Sequence, residues 1–329
     1  MVDRKATEAV PPQVAYLPVG IFGSVTGLTG LAVAWRLAHA RYGLPEWPAH
    51  AVAFAAVADL MVLLLAYGAK AWAAPGRVRA EFEHPVVGNL FGLVLISLLV
   101  VPGVLAPIDR LVARAIWSAG AVGMVAFAWI MTDRWMTSRQ EVEQASPAWF
   151  IPTVGLLNVP LAVPSLGLSN VEELSWFTLS VGLFFTLPLF TIVFSRLLFE
   201  QPLPDPLKPS LLIVVAPFSI GYSSYTITSG SNDAFGKVLY MLMLFFLAVL
   251  LGQLRHLPRC CPFKVSWWAV SFPLASSAIA AVRYATLNPG ILADAVAFGL
   301  LAVATAVILW LAGRTAYGLA TSELRALAT

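Results

Sequence analysis

Charge is what this sequence has least of. Of its 329 residues only 11% are Asp, Glu, Lys or Arg and 59% are apolar, against about 25% and roughly 45–50% in a soluble domain. With a mean hydropathy of +0.82, it carries more apolar surface than one core of this size can hide, so the solvent around most of the chain is lipid. The same numbers exclude disorder. The 20 basic and 17 acidic residues leave a formal charge of +3, too small and too scattered for a nucleic-acid surface.

Cysteine and histidine are also scarce. Cys260 and Cys261 are adjacent, a poor geometry for a structural disulfide, and read as inert loop thiols. His39, His50, His84 and His256 show no metal-ligand spacing, and neither a phosphate-cradling glycine loop nor a nucleophile elbow is present. The residues therefore point to no catalytic, metal or cofactor site, and the chain does not read as an enzyme. From Met1 to Tyr16, charges and Pro11-Pro12 replace the apolar core and small-residue cleavage site of a signal peptide.

What is abundant is long, nearly uncharged sequence. Ten stretches reach the roughly 20 residues that cross a hydrocarbon layer of about 30 Å: 17–40, 48–70, 86–106, 110–132, 148–168, 173–196, 209–230, 234–255, 265–286 and 290–313. Barrel strands would be shorter and would alternate, so these spans are helices. Fourteen Lys and Arg fall on the side of the N-terminus and six on the other. Basic loops are retained in the cytoplasm, which puts both termini there. Residues 1–16 are thus expected to be a cytoplasmic segment, 17–315 the ten-helix membrane domain and 316–329 a short cytoplasmic tail.

Odd-numbered spans begin at intervals of 69, 62, 61 and 56 residues, which divides the chain into five helical hairpins. Helix breakers concentrate in them: Pro18, Gly20 and Gly23 in the first, Pro152 and Pro160 in the fifth, Pro217 in the seventh and Pro273 in the ninth. Proline bends a helix and frees backbone polar groups, which in lipid need protein or water. Kinked odd helices around a wet axis, with straighter even helices facing lipid, satisfy that need; proline is also simply common in membrane helices. The third span departs, with Pro102 only near its end, and Pro188 interrupts the sixth.

The residues themselves resemble a known family. Leu17-Pro18-Val19-Gly20-Ile21-Phe22-Gly23 is similar to the first pore helix of the tellurite-resistance protein TehA family, which includes C4-dicarboxylate (malic acid) transporters, sulfite exporters and the plant slow-type anion channels. Arg79-Ala80-Glu81-Phe82 with His84-Pro85, Pro147-Ala148-Trp149-Phe150-Ile151-Pro152 and Lys208-Pro209-Ser210 leading to Ala216-Pro217 resemble its later segments. Trp267-Trp268-Ala269-Val270-Ser271-Phe272-Pro273-Leu274, like its ninth helix, is the most specific match.

The resemblance covers residues from about 16 to 315. It implies a homotrimer in the inner (plasma) membrane, each protomer holding its own pore inside five odd helices in quasi-fivefold order. It also implies that Phe272 plugs that pore at mid-membrane. Read from composition alone, Phe272 is one of 19 phenylalanines.

An aromatic ring across a narrow apolar tube excludes water and makes ion passage costly. The expected partners are small inorganic or organic anions and the bilayer, and no cofactor is called for. The odd helices hold almost no basic residue, so anion preference would come from kinked backbone and from neutral side chains near the axis. Ser24, Thr26, Thr153, Ser219, Ser276 and Ser277 are the candidate donors, and Phe22 is a further candidate pore-lining residue; the hydroxyls can equally back-bond to their own helices. Arg283 is a candidate vestibule residue or an interfacial anchor.

Asp59 lies about 11 residues, or about 16 Å, into the second span. A carboxylate there reads either as a proton site or as a hydrogen-bonded structural acid. Asp294, near the start of the tenth helix, carries no expected role. A passive anion channel, a proton-coupled transporter of C4-dicarboxylate, sulfite or tellurium oxyanions, and a non-transporting scaffold all remain open on these residues.

Overall fold

The computed structural model describes residues 16–254 and 263–321; Cys260, Cys261, His256, most of the N-terminal segment and the end of the C-terminal tail lie outside them. Ten helices long and apolar enough to cross a membrane run Val19–Tyr42, Trp47–Ala73, Val87–Leu105, Arg110–Thr137, Pro147–Leu166, Glu172–Phe199, Asp205–Ser229, Ala234–Leu254, Val265–Leu287 and Ile291–Ala320, hereafter spans 1 to 10. The described residues contain no strand.

The two classes of span differ in backbone. Each odd span opens with a tight 3-10 stretch before turning α-helical: Val19–Phe22, Val87–Phe91, Pro147–Trp149, Asp205–Val215 and Val265–Val270. The change falls at Gly23, Gly92, Phe150, Ala216 and Ser271. Pro217 and Pro273 sit just past two of these points and lack the N–H that would carry the i→i−4 ladder back into the preceding turn, so the segment before them keeps the tighter bonding. Span 5 is the most broken. Pro152 lies in a five-residue α segment, and 3-10 turns follow at Gly155–Asn158 and Pro160–Ala162.

Even spans are single α-helices, and four of them outrun the expected ends: Trp47–Ala73, Arg110–Thr137, Glu172–Phe199 and Ile291–Ala320. A charge such as Arg314 marks where lipid stops, yet the backbone ladder continues past it.

Burial separates the classes as well. Within the most apolar stretch of each span, 61–83% of odd-span residues are buried against 28–39% in the even spans. Span 1 packs on 3, 3 on 5, 5 on 7, 7 on 9 and 9 back on 1, closing a ring, and each even span lies outside against the odd span before it.

Polar backbone at the broken ends of the ring is answered from neighbouring helices. Arg36 donates to Gly103 O at 2.9 Å, Arg114 to Leu166 O and Gly167 O at 2.9 and 2.8 Å, and the Trp117 indole to Val159 O at 3.0 Å. These bonds satisfy carbonyls that lipid would leave bare.

Candidate ion pathway

A cavity of about 120 Å³ lies inside the ring and takes its walls from all five odd spans, among them Gly20, Leu90, Ile151, Ile213 and Phe272. The lining residues come from the first half to two-thirds of each span. The cavity therefore opens towards the span N-termini and reaches inward to the depth of Phe272, Asn158 and Ile220. Its polar atoms are few and neutral, chiefly those of Thr26, Ser146, Asn158, Ser210 and Ser266.

Phe272 is placed by the first turn of α-helix in span 9, two residues past the end of the 3-10 segment. Leu274, Ala275 and Ala278 of that span belong to the apolar cluster built mainly from spans 1, 2, 7, 8 and 10. The Phe272 ring instead joins the apolar cluster of spans 3 to 7, with Ile96, Ile151, Val154, Ile213 and Ile220. The ring is 9% exposed, against the cavity it lines.

Other residues singled out from the sequence are distributed differently. Gly20, Gly23 and Thr26 line the cavity, whereas Phe22 and Ser24 face span 2. The Phe22 ring meets Tyr67 edge-on at 6.0 Å, and the Ser24 hydroxyl donates to Asp59 Oδ2 at 2.5 Å. Pro18 and Asp59 share a second cavity of about 420 Å³, bounded by spans 1, 2, 9 and 10.

Ser219 and Ser276 join each other across spans 7 and 9 at 2.7 Å, and Ser276 and Ser277 both donate to Pro273 O, at 3.1 and 2.7 Å. Thr153 is fully buried, and its hydroxyl has no hydrogen-bond partner among the described residues. Arg283 is partly buried, and its Nε has no hydrogen-bond partner among the described residues. Asp294 accepts from Tyr42 at 2.7 Å and lies 3.6 Å from Arg41, tying the end of span 1 to the start of span 10.

Two buried cations were not singled out in the sequence. Lys70, at the end of span 2, has a fully buried side chain that reaches Glu81 Oε1 at 2.5 Å and Leu17 O at 2.6 Å, while the Tyr67 hydroxyl holds Glu81 Oε2 at 2.7 Å. This clamp fixes the start of span 1. Arg134 donates to Phe82 O and Glu83 O, fastening the short helix Pro75–Glu83 that carries Glu81. Arg196, at the end of span 6 on the face where the odd spans begin, is 5% exposed, and its Nε and Nη1 have no partner among the described residues. An arginine closing 22 uncharged residues was the available signal for it.

Ten lipid-length helices, five of them ringed around an axial cavity, define a multi-pass membrane protein. Residues 16–316 match the family described as SLAC1, voltage-dependent anion channel, and the chain belongs to that family. It is 29% identical over 299 residues to the S-type anion channel SLAH3 of Arabidopsis thaliana, covering 88% of this chain and 46% of the relative. It is 24% identical over 315 residues to the guard cell S-type anion channel SLAC1 of the same plant, covering 90% and 55%. To the tellurite resistance protein TehA homolog of Haemophilus influenzae it is 27% identical over 279 residues, covering 82% and 81%. The chain spans about half the length of these plant relatives.

Proposed function

We propose that this protein is a passive channel for small anions such as chloride and nitrate, gated by Phe272. One observation carries the reading: the axial cavity draws on all five odd spans and has among its innermost lining residues the aromatic ring of Phe272, which belongs to the apolar cluster of spans 3 to 7. A ring in that position excludes water, and a rotamer change suffices to admit it. The walls offer neutral, weak partners only, which suits conduction because an ion held tightly does not leave. Selectivity then follows dehydration cost, so nitrate passes more readily than chloride. Membership in an anion channel family supports the same cargo. We further place the protein in the plasma membrane as a homotrimer with both termini cytoplasmic.

The test is the current carried by purified protein in a planar bilayer under a chloride or nitrate gradient, wild type against Phe272→Ala. A reversal potential that follows the anion gradient, with small wild-type and large mutant currents, is expected. Silence from both, with intact oligomers, overturns the channel reading.

A second reading rests on the bond between Asp59 and Ser24, which links a mid-membrane carboxylate on an outer helix to a pore helix. In that reading the scaffold exports or imports C4-dicarboxylate, sulfite or a tellurium oxyanion in exchange with protons taken up at Asp59. Uphill flux driven by a pH gradient and abolished in Asp59→Asn would establish it; flux indifferent to the gradient removes it.

A further inference from the structure

Arg283 is a cation without a counter-charge. It stands a turn before the end of span 9, partly buried, and no hydrogen bond or ion pair ties its guanidinium to the described residues. Its Nε is sealed, while the two Nη groups keep accessible surface. The acids that open the two even spans packed on span 9 are held elsewhere. Asp233, before span 8, accepts from Tyr225 and two backbone N–H groups, and Asp294 of span 10 accepts from Tyr42 beside Arg41. Tyr222 of span 7 is the electrostatic neighbour of Arg283, and its hydroxyl turns to Asn232 Oδ1 at 3.3 Å. An ionisable side chain within a membrane span faces protein or water and needs a partner.

The helix geometry places this cation behind Phe272. At about 100° per residue, Ala275 points about 60° to one side of Phe272 and Ser276 about 40° to the other. Ala275 faces span 1, where a Cβ on Gly30 would lie 2.7 Å from its own, and Ser276 meets Ser219 of span 7 at 2.7 Å. The direction between spans 1 and 7 is the axis of the ring, and Phe272 takes it to line the cavity. Arg283 comes round to within about 20° of Phe272, about 16 Å further along the helix. It therefore faces the axis on the side of Phe272 away from the cavity.

We propose that Arg283 recruits anions to this far side of the gate, its two Nη groups holding a small, singly charged anion, nitrate in preference to chloride. The proposal rests on the reading of the ring's axis as an anion pathway and adds which residue draws the ion in and from which side. One guanidinium balances one negative charge. Its planar fork meets two nitrate oxygens with parallel N–H···O bonds, where a halide makes a point contact. The cavity on the near side is lined by no charged residue, so the field at the gate is lopsided and current should depend on direction.

The test uses the full chain in a planar bilayer, with the gate opened by Phe272→Ala. Adding Arg283→Gln should cut the current of anions entering from the Arg283 side about tenfold at low salt, the low end of what charge focusing gives, and by less at high salt. Entry from the cavity side should change less. Arg283→Lys keeps the charge and loses the fork, so the direction dependence should survive and the preference for nitrate should fall. Wild-type crystals grown in bromide should show an anomalous peak beside the two Nη groups.

The wild-type crystals and the lysine variant decide the matter even where the glutamine variant does not fold. Anion current with the same size and direction dependence in Arg283→Gln, or wild-type crystals without bromide at the guanidinium, overturns the proposal and leaves the channel reading standing. Bromide at Arg283 in a protein that conducts no anion even with Phe272→Ala keeps the site and sinks the channel reading.

Discussion

The Ser271 hydroxyl lies 3.0 Å from the Gly23 carbonyl, bonding span 9 to span 1 one residue before Phe272. Around this bond the two helices meet backbone to backbone. A Cβ added at Gly27 would overlap the Ser271 side chain, and one at Gly30 would stand 2.7 Å from the Ala275 Cβ and 3.5 Å from the Phe272 ring. Close approach through small residues is how helices associate where lipid removes the hydrophobic incentive. The position of Phe272 is therefore set from span 1, by residues that never touch the cavity's opposite wall.

Gly27→Ala should separate this seam. Overpacking of a tight helix contact costs about 1–3 kcal/mol, so the melting temperature of the detergent-solubilised protein should fall. Gly68→Ala is the control, because nothing lies within 4 Å of a Cβ built there. Equal melting temperatures for the two variants would show that spans 1 and 9 are not locked at Gly27.

The clamp at Lys70 should be costlier to break. Lys70→Ala leaves Glu81 with only the Tyr67 hydroxyl and the Leu17 carbonyl without its Lys70 donor; removing one partner of a buried ion pair typically costs about 3–5 kcal/mol. Glu81 is 23% exposed, and water reaching it should bring the loss towards the lower end of that range. Arg79→Ala breaks a pair with Glu83 at 2.7 Å that stands in the open and should leave the melting temperature nearly unchanged. Comparable losses from the two substitutions would remove the clamp from the stability argument.

The ten helices and the contrast between odd and even spans were legible in the sequence because both depend on local signals, namely long apolar runs and the placement of proline and glycine. Lys70 was not, since a lysine at the end of an apolar run reads as an ordinary boundary residue until the chain folds Glu81 and Leu17 against it. Ser24 and Asp59, 35 residues apart, each read as isolated polar groups for the same reason. The faces of Phe22 and Ser24 were misjudged by position alone: a 3-10 start advances about 120° per residue instead of 100°, so a few such residues rotate the following side chains off the expected face. For Arg283 the lack of a counter-charge among the described residues is visible only in three dimensions.

Asp233 gives a prediction in pH. It precedes span 8 and accepts from the Tyr225 hydroxyl at 2.6 Å and from the backbone N–H groups of Phe235 and Gly236 at 3.0 and 3.2 Å. The Tyr225 bond first, and then the backbone donors, hold its carboxyl below the ordinary carboxylate range. A depressed folded-state pKa stabilises the fold above the unfolded value of about 3.9 and ceases to do so as pH falls through the folded value. The stability difference between wild type and Asp233→Ala should therefore be full at neutral pH and shrink in the acid range below about pH 4. A difference that does not change with acidification would mean that the carboxylate charge is irrelevant to this cap.

A size series at Phe272 separates a gate from an ordinary core residue, because the two roles respond to truncation in opposite ways. If the ring only fills space, Phe272→Leu and Phe272→Ala lower stability in turn, by up to about 3–5 kcal/mol for alanine, and the current stays at the wild-type level. If the ring closes an apolar passage, each truncation widens the route for water, and every 1.4 kcal/mol or so removed from the barrier raises the current about tenfold. Current should then climb from Phe through Leu to Ala and fall below wild type in Phe272→Trp. The ring lines the cavity with 9% of its surface exposed there, next to Pro273 and Ala269, so alanine enlarges an existing space instead of opening a sealed void. Stability losses in the series should accordingly be smaller than a core truncation gives, while currents span at least about tenfold.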